Sequence, residues 1–182
     1  MECVEKLAVF DLDDTLYVDN SHFAILNTYY CTHFFTSIPI RALGKFLPAL
    51  RLRIINIFYK RIPCDYRQHF LLPYRQDVLR LLKKKDKAGY KVVIVSNAPI
   101  DLLRAAAQDL HIEYISAEVG RKATSVQKNF SYKYLFVCTD NKTDIDLLSI
   151  ADEAIITCRK KDEAFFCNAL HNSNYRFYFR DI

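Results

Sequence analysis

"LAVFDLDDTLYVDNS", residues 7–21, runs four apolar residues straight into four carboxylates, Asp11, Asp13, Asp14 and Asp19. A short, continuous apolar run reads as a strand buried on both faces, the kind found in parallel sheets. Ending such a strand on a cluster of like charges is unfavourable unless positive charge gathers there. Further apolar runs at 92–95, 135–138 and 154–157, with a weaker one at 113–116, also end in polar or turn residues. Helical patterns fill the gaps at 77–87, 101–110 and 144–150. Strands alternating with helices predict an α/β fold, a parallel sheet covered by helices on both faces. Open sheets of this kind bind ligands beyond the carboxyl ends of their strands, and those ends carry "DLDDT", "SNAP" and "TDNKTD".

The chain has 182 residues, enough for one domain carrying a modest insertion. The segment 17–74 breaks the alternation and reads as a mostly helical insertion after the first strand, leaving 1–16 and 75–182 as the core. From Asn20 to Cys64 there is no Asp or Glu, while Arg41, Lys45, Arg51, Arg53, Lys60 and Arg61 give that stretch +6 against +5 for the whole chain. Its apolar middle, "IPIRALGKFLPALRLRIINIFYK" (38–60), is interrupted by cations too often for the roughly 20 uninterrupted residues of a membrane span. Either these cations snorkel around the apolar face of a helical cap, or they form a basic surface for phosphorylated or lipid-linked substrates and for peripheral membrane contact. No nucleic-acid signature is present, so nucleic acid is not an expected partner. Residues 1–6 carry Glu2 and Glu5 and do not resemble an export leader. The expected location is cytoplasmic, peripheral at the inner membrane surface if the insertion meets lipid. Six cysteines without a C-x-x-C pair suggest reduced thiols serving as small core residues. The tail "YRFYF" (175–179) reads as a last strand or a docking segment.

The polar strand ends carry the chemistry. A carboxylate with a free pKa of about 3.9 is a nucleophile at neutral pH without activation. Attack on a phosphoryl group then needs a second carboxyl nearby to protonate the leaving group and later deprotonate water. Asp11 and Asp13 have that relation. A hard cation such as Mg²⁺, taking one or two carboxylates, and a fixed positive side chain would offset the repulsion between nucleophile and phosphate. Asp140 and Asp144 offer metal ligands, and Ser96 and Asn97 offer hydrogen bonds to phosphate. Asp144 could equally cap the helix "DLLSIA", or do both.

The order Asp11-Leu-Asp13-Asp-Thr15, Ser96, a lysine, then Asp140-x-x-x-Asp144 resembles the haloacid dehalogenase (HAD) superfamily over about 1–16 and 75–160. The resemblance implies a Rossmann-like core in which the first strand lies between those bearing the second and fourth motifs. It implies Asp11 as phosphoryl acceptor and Asp13 as general acid and base. Mg²⁺ would be held by Asp11, Asp140, Asp144 and the backbone carbonyl of Asp13, with Thr15, Ser96, Asn97 and Lys122 binding the substrate phosphate. Lys122 is chosen by similarity, with Lys128 and Lys133 as alternatives. The insertion looks like the family's type-1 helical cap. "LPYRQDVLRLL" (72–82) and "VGRKATSVQ" (119–127) are similar to HAD domains fused to membrane prenyltransferases. Thr139 departs from the glycine usual before the fourth-motif aspartate and is expected to narrow the approach to the metal. The implied activity is a Mg²⁺-dependent phosphatase acting on a sugar- or isoprenoid-linked phosphomonoester. The alternatives are a small soluble substrate, such as a sugar phosphate or phosphoserine, and a non-catalytic phosphate-binding partner module.

Overall fold

A computed structural model describes residues 2–170 and 174–179. Its centre is a six-stranded, all-parallel sheet in the order β3-β2-β1-β4-β5-β6. The strands are β1 (Glu2–Phe10), β2 (Lys91–Ser96), β3 (Glu113–Ser116), β4 (Phe130–Thr139), β5 (Glu153–Cys158) and β6 (Tyr175–Phe179). The aromatic tail is therefore a strand, paired with β5. Outside the described residues lie Met1, 171–173 and 180–182, parts of the core as read from the sequence.

Strand side chains alternate between faces, and the continuous apolar runs feed two cores at once. Leu7 and Val9 pack with Val93, Val95, Leu135, Val137 and Ile156 on one face, and Ala8 and Phe10 with Val92, Ile94, Phe136 and Ile155 on the other. The second face is covered by α5 (Gln76–Lys87), through Val78 and Leu82, and by α6 (Ile100–Leu110), whose Leu103, Ala106 and Ala107 allow close approach. The first is covered by α7 (Lys122–Asn129), α8 (Ile145–Leu148) and α9 (Glu163–Ala169), through Val126, Leu147, Leu148 and Phe166. Between α5 and β2 the chain turns at Gly89, whose φ of +79° lies where a Cβ would be strained.

The segment after β1 is helical: α1 (Ser21–Tyr29), α2 (Ile38–Phe46), α3 (Pro48–Arg61) and α4 (Cys64–Gln68). These helices build a small core of their own from Ile25, Leu26, Phe35, Ile55, Tyr59 and Ile62, and Leu102 of α6 joins it from the sheet side. The chain leaves and re-enters through one narrow neck. Tyr17 and Tyr74 form an antiparallel bridge with rings stacked at 5.1 Å, flanked by Val18 N–H donating to Pro73 C=O (3.1 Å) and Arg75 N–H to Leu16 C=O (2.8 Å).

The expectation of core thiols is corrected. Only Cys138 and Cys158 are buried; Cys3, Cys31, Cys64 and Cys167 are exposed, and all six are free. Among the described residues no helix is long and apolar enough to cross a membrane.

Candidate active site

Asp11 is the first residue past β1, and its N–H still donates to Cys138 C=O at 2.9 Å, so the ends of β1 and β4 are locked side by side. The chain then makes one wide turn, closed by Tyr17 N–H to Leu12 C=O at 2.8 Å. Within it Asp13 is extended and Asp14 has a positive φ of 57°, a conformation that Asp tolerates better than most residues. The turn aims the two carboxyls apart. Asp11 Oδ1 accepts from Leu12 N–H (2.8 Å), whereas Asp13 Oδ1 reaches the start of α1 and accepts from Ser21 N–H (2.8 Å).

Lys122 is the lysine that enters the site. It is almost completely buried, with Nζ 2.9 Å from Asp11 Oδ2 and 2.7 Å from Asp144 Oδ2. Lys133 instead points outward to Glu5, and Lys128 is exposed. Lys122 opens α7, and Asp146 holds that helix end by accepting from Ala123 N–H at 2.9 Å. Burial alone would lower the pKa of the Lys122 ammonium, but the charges of Asp11 and Asp144 outweigh it and the pKa is raised. Burial, with the Asp11 charge adding, lifts the Asp144 carboxyl to about 6 although Lys122 pulls it down. Two carboxylates around one ammonium carry a net negative charge, so protonation of Asp144 becomes easier.

Four residues occupy places different from those expected. Asp144 Oδ2 is held by Lys122 and by the Thr139 hydroxyl (2.6 Å), and its side chain makes no cap to α8, so its first task is to orient the lysine. Thr139, read as an obstruction, is a clamp: buried, donating to Asp144 and lying 3.4 Å from Asp11 Oδ2. Thr15, expected on the phosphate, is fully buried and donates to Asp140 Oδ1 at 3.1 Å, which positions that carboxylate instead. Asn97 is exposed and lines a cavity of about 420 Å³ between the sheet and the helical insertion. Ser96 is the buried last residue of β2, the strand beside β1. Its Oγ accepts from Ala98 N–H at 3.2 Å, leaving the hydroxyl proton available for donation.

Sequence reasoning missed Thr139, Asp146 and Ser21 as positioning residues, and also the insertion side of the cavity. There His22, Tyr59 and Arg67 face Asn97, with Arg67 paired to Asp101 at 3.3 Å. Burial lowers the pKa of His22 to about 4, so its ring is neutral near pH 7. The one available signal was the position of these aromatic and basic residues within the insertion. A larger cavity of about 840 Å³ lies by Lys91, Arg104 and Glu113, where β2 and β3 begin, away from the carboxylates.

Burial raises the Asp13 carboxyl to about 7, and the Asp11 and Asp14 charges add to the effect against the lowering hydrogen bonds from Ser21. It is therefore the group suited to carry a proton near neutrality. Asp11 and Asp140, just past neighbouring strands, could offer oxygen ligands to a metal. Among the described residues no three His, Cys, Asp or Glu side chains gather around one point. Two carboxylates are as many as Mg²⁺ usually takes from a protein, the rest of its shell being water. Asp144 Oδ1, buried without a hydrogen-bond partner among the described residues, leaves one further acceptor beside the same set.

A family model described as haloacid dehalogenase-like hydrolase matches residues 8–149. Among solved structures, a phospho-aspartyl intermediate analogue of phosphoserine phosphatase superposes with a TM-score of 0.65 at 13% identity, covering 94% of this chain and 95% of that one. A HAD family hydrolase from Salmonella enterica serovar Typhi gives 0.65 at 14% identity, covering 96% and 68%. A protein of unknown function from Bordetella pertussis Tohama I gives 0.59 at 12%, covering 94% and 98%. No curated protein matches the sequence. At these identities the structural likeness establishes the fold.

Proposed function

The chain belongs to the haloacid dehalogenase-like hydrolase family, and from that premise we propose that it is a phosphatase cleaving a phosphomonoester through an aspartyl-phosphate on Asp11. The observation that carries this reading is the separation of roles between two carboxyls two residues apart. Asp11 meets a buried ammonium at 2.9 Å, while Asp13, turned away to the start of α1, holds its proton up to about pH 7.

In the proposed reaction an Asp11 oxygen forms the bond to phosphorus as the bond to the leaving-group oxygen breaks, and Asp13 gives its proton to that oxygen. Asp13, now a base, takes a proton from water as water attacks the acyl phosphate, which releases phosphate and restores both carboxyls. Lys122, beside Asp11, reduces the repulsion between that carboxylate and the incoming phosphate. Asp144, Thr139 and Asp146 hold the lysine in place. The Ser96 hydroxyl supplies a donor to a phosphoryl oxygen. Asp11, Asp140 and the carbonyl of Asp13 would hold Mg²⁺, which when bound neutralises charge on the phosphoryl oxygens.

The helical segment 17–74 acts as a cap in this reading, and the cavity by Asn97 receives the leaving group. A neighbouring cavity of about 250 Å³, lined by Phe23, Pro48, Arg51 and Ile55, shares His22 and Leu52 with it. Adjacent polar and apolar spaces suit a leaving group with both characters, as in a sugar- or isoprenoid-linked phosphate.

The test is a screen of phosphomonoesters with and without Mg²⁺, followed by Asp11→Asn. We expect turnover on at least one ester, its loss in the folded variant, and a phosphoryl-sized mass increase on the peptide containing Asp11 in quenched wild-type enzyme. Retained turnover in Asp11→Asn overturns the assignment. Inactivity on every ester favours a binding module.

A further inference from the structure

We propose that the tip of the α2–α3 hairpin docks this protein on an anionic lipid surface. The six consecutive residues Lys45, Phe46, Leu47, Pro48, Ala49 and Leu50 are all exposed. The large apolar ones among them are open to an unusual degree, Phe46 at 75%, Leu47 at 54% and Leu50 at 44%, and Ile38 at the start of α2 reaches 82%. Single exposed apolar residues are ordinary, but a contiguous group at a helical tip marks a surface that meets something. The tip is not an unravelled end. Gly44 of α2 lets Arg51 of α3 lie across it so closely that a Cβ there would sit 2.5 Å from Arg51 Cδ, and the Arg51 guanidinium stacks 4.6 Å over the Phe23 ring. The inner face of the hairpin, Ile40, Ile55 and Tyr59, is buried. The outer face is thus presented by a packed support.

Charge complementarity decides the occupant. Arg41, Lys45 and Arg53 surround the tip, all three exposed, in a segment of 45 residues from Asn20 to Cys64 that contains no acid. A second copy of the chain would set these cations against the same cations, which disfavours a self-complementary dimer. An anionic membrane accepts both parts, with apolar side chains entering the headgroup boundary and lysine and arginine meeting lipid phosphates. The C-terminal half of α3, away from the tip, supplies Asn56, Tyr59 and Lys60 to the cavity beside Asn97, so one helix would connect the lipid surface to that chamber. The proposal does not depend on the phosphatase reading.

The test is flotation of the full chain with vesicles of phosphatidylcholine alone and of phosphatidylcholine containing phosphatidylglycerol. We expect binding to the anionic vesicles roughly tenfold or more above the neutral ones, weakened as salt rises to about 0.15 M. The double variant Phe46→Glu, Leu47→Glu should lose that binding while keeping the wild-type circular dichroism and melting curve. Arg41→Gln with Lys45→Gln and Arg53→Gln, which leaves the apolar tip intact, should remove the salt-sensitive part. Equal binding to both vesicles, undiminished binding by either variant, or a lipid-free dimer abolished by the Phe46 and Leu47 substitutions overturns the proposal.

Discussion

Lys122 has one ammonium for two buried carboxylates, at 2.9 Å from Asp11 and 2.7 Å from Asp144. Replacing it with Met strands both charges, and breaking a buried pair in this way costs about 3–5 kcal/mol. The deficit should be larger at about pH 8 than at about pH 5, because Asp144, already raised to about 6, takes up a proton at the lower pH; urea unfolding at the two pH values checks this. Asp13 gives a second pH effect. Its folded carboxyl keeps a proton up to about 7 whereas the unfolded chain releases it near 3.8, so the folded state binds more protons in that window and its stability falls as pH rises through it. Asp13→Asn should remove that slope and melt higher than wild type at about pH 8, while turnover drops by about 10²–10⁴-fold. In the wild-type enzyme kcat/KM should decline above about pH 7, where the acid is lost. Thr139→Val keeps the shape but removes the donor to Asp144, and should cost about 1–2 kcal/mol in a denaturant titration. The placing of Asp11 and Asp140 just past neighbouring strands was legible, because the ends of paired strands adjoin whatever the side-chain rotamers. The task of Asp144 and the clamp made by Thr139 were not, since both depend on where a lysine from a distant helix enters.

Among the elements, the strands buried on both faces were readable from their apolar runs, but their lengths were not. β1 begins at Glu2 and β4 at Phe130, well before the apolar runs, because their polar leading halves pair with each other in the register Glu2 with Phe130 through Lys6 with Tyr134. Backbone pairing between segments over 120 residues apart leaves no local pattern. α8 is shorter than expected, Ile145–Leu148: Asn141 takes Thr143 N–H into a tight turn ahead of it, and behind it Ile150 N–H and Ala151 N–H turn back to Leu147 C=O and Leu148 C=O. Leu102 of α6 is the point where the sheet's helices meet the core of the insertion. Leu102→Ala should destabilise the protein by about 2–5 kcal/mol. If the insertion serves as a cap, KM should rise more than kcat falls, as steady-state kinetics on any accepted ester would show.

At the scale of the whole molecule, the alternation of strands and helices was enough to read a parallel sheet with helices on both faces, and the break in that alternation over 17–74 pointed to the helical stretch after β1. The surroundings of the cavity by Asn97 could not be read, because His22, Tyr59 and Arg67 acquire meaning only when the insertion folds back over the sheet. That arrangement hangs on two strands of peptide at Tyr17 and Tyr74. The central position of β1 also bears on how the molecule is made. β1 is made before both of its neighbours and can pair only when residues 91–96 and then 130–139 have been synthesised. Until then the nascent chain carries an apolar strand with both edges open and Asp11 without Lys122, and pairing this non-local is slow to form. A chain ending before residue 122 would carry Asp11 without the buried ammonium it meets in the folded protein, so this strand end is exposed to misassembly for as long as the rest is being made.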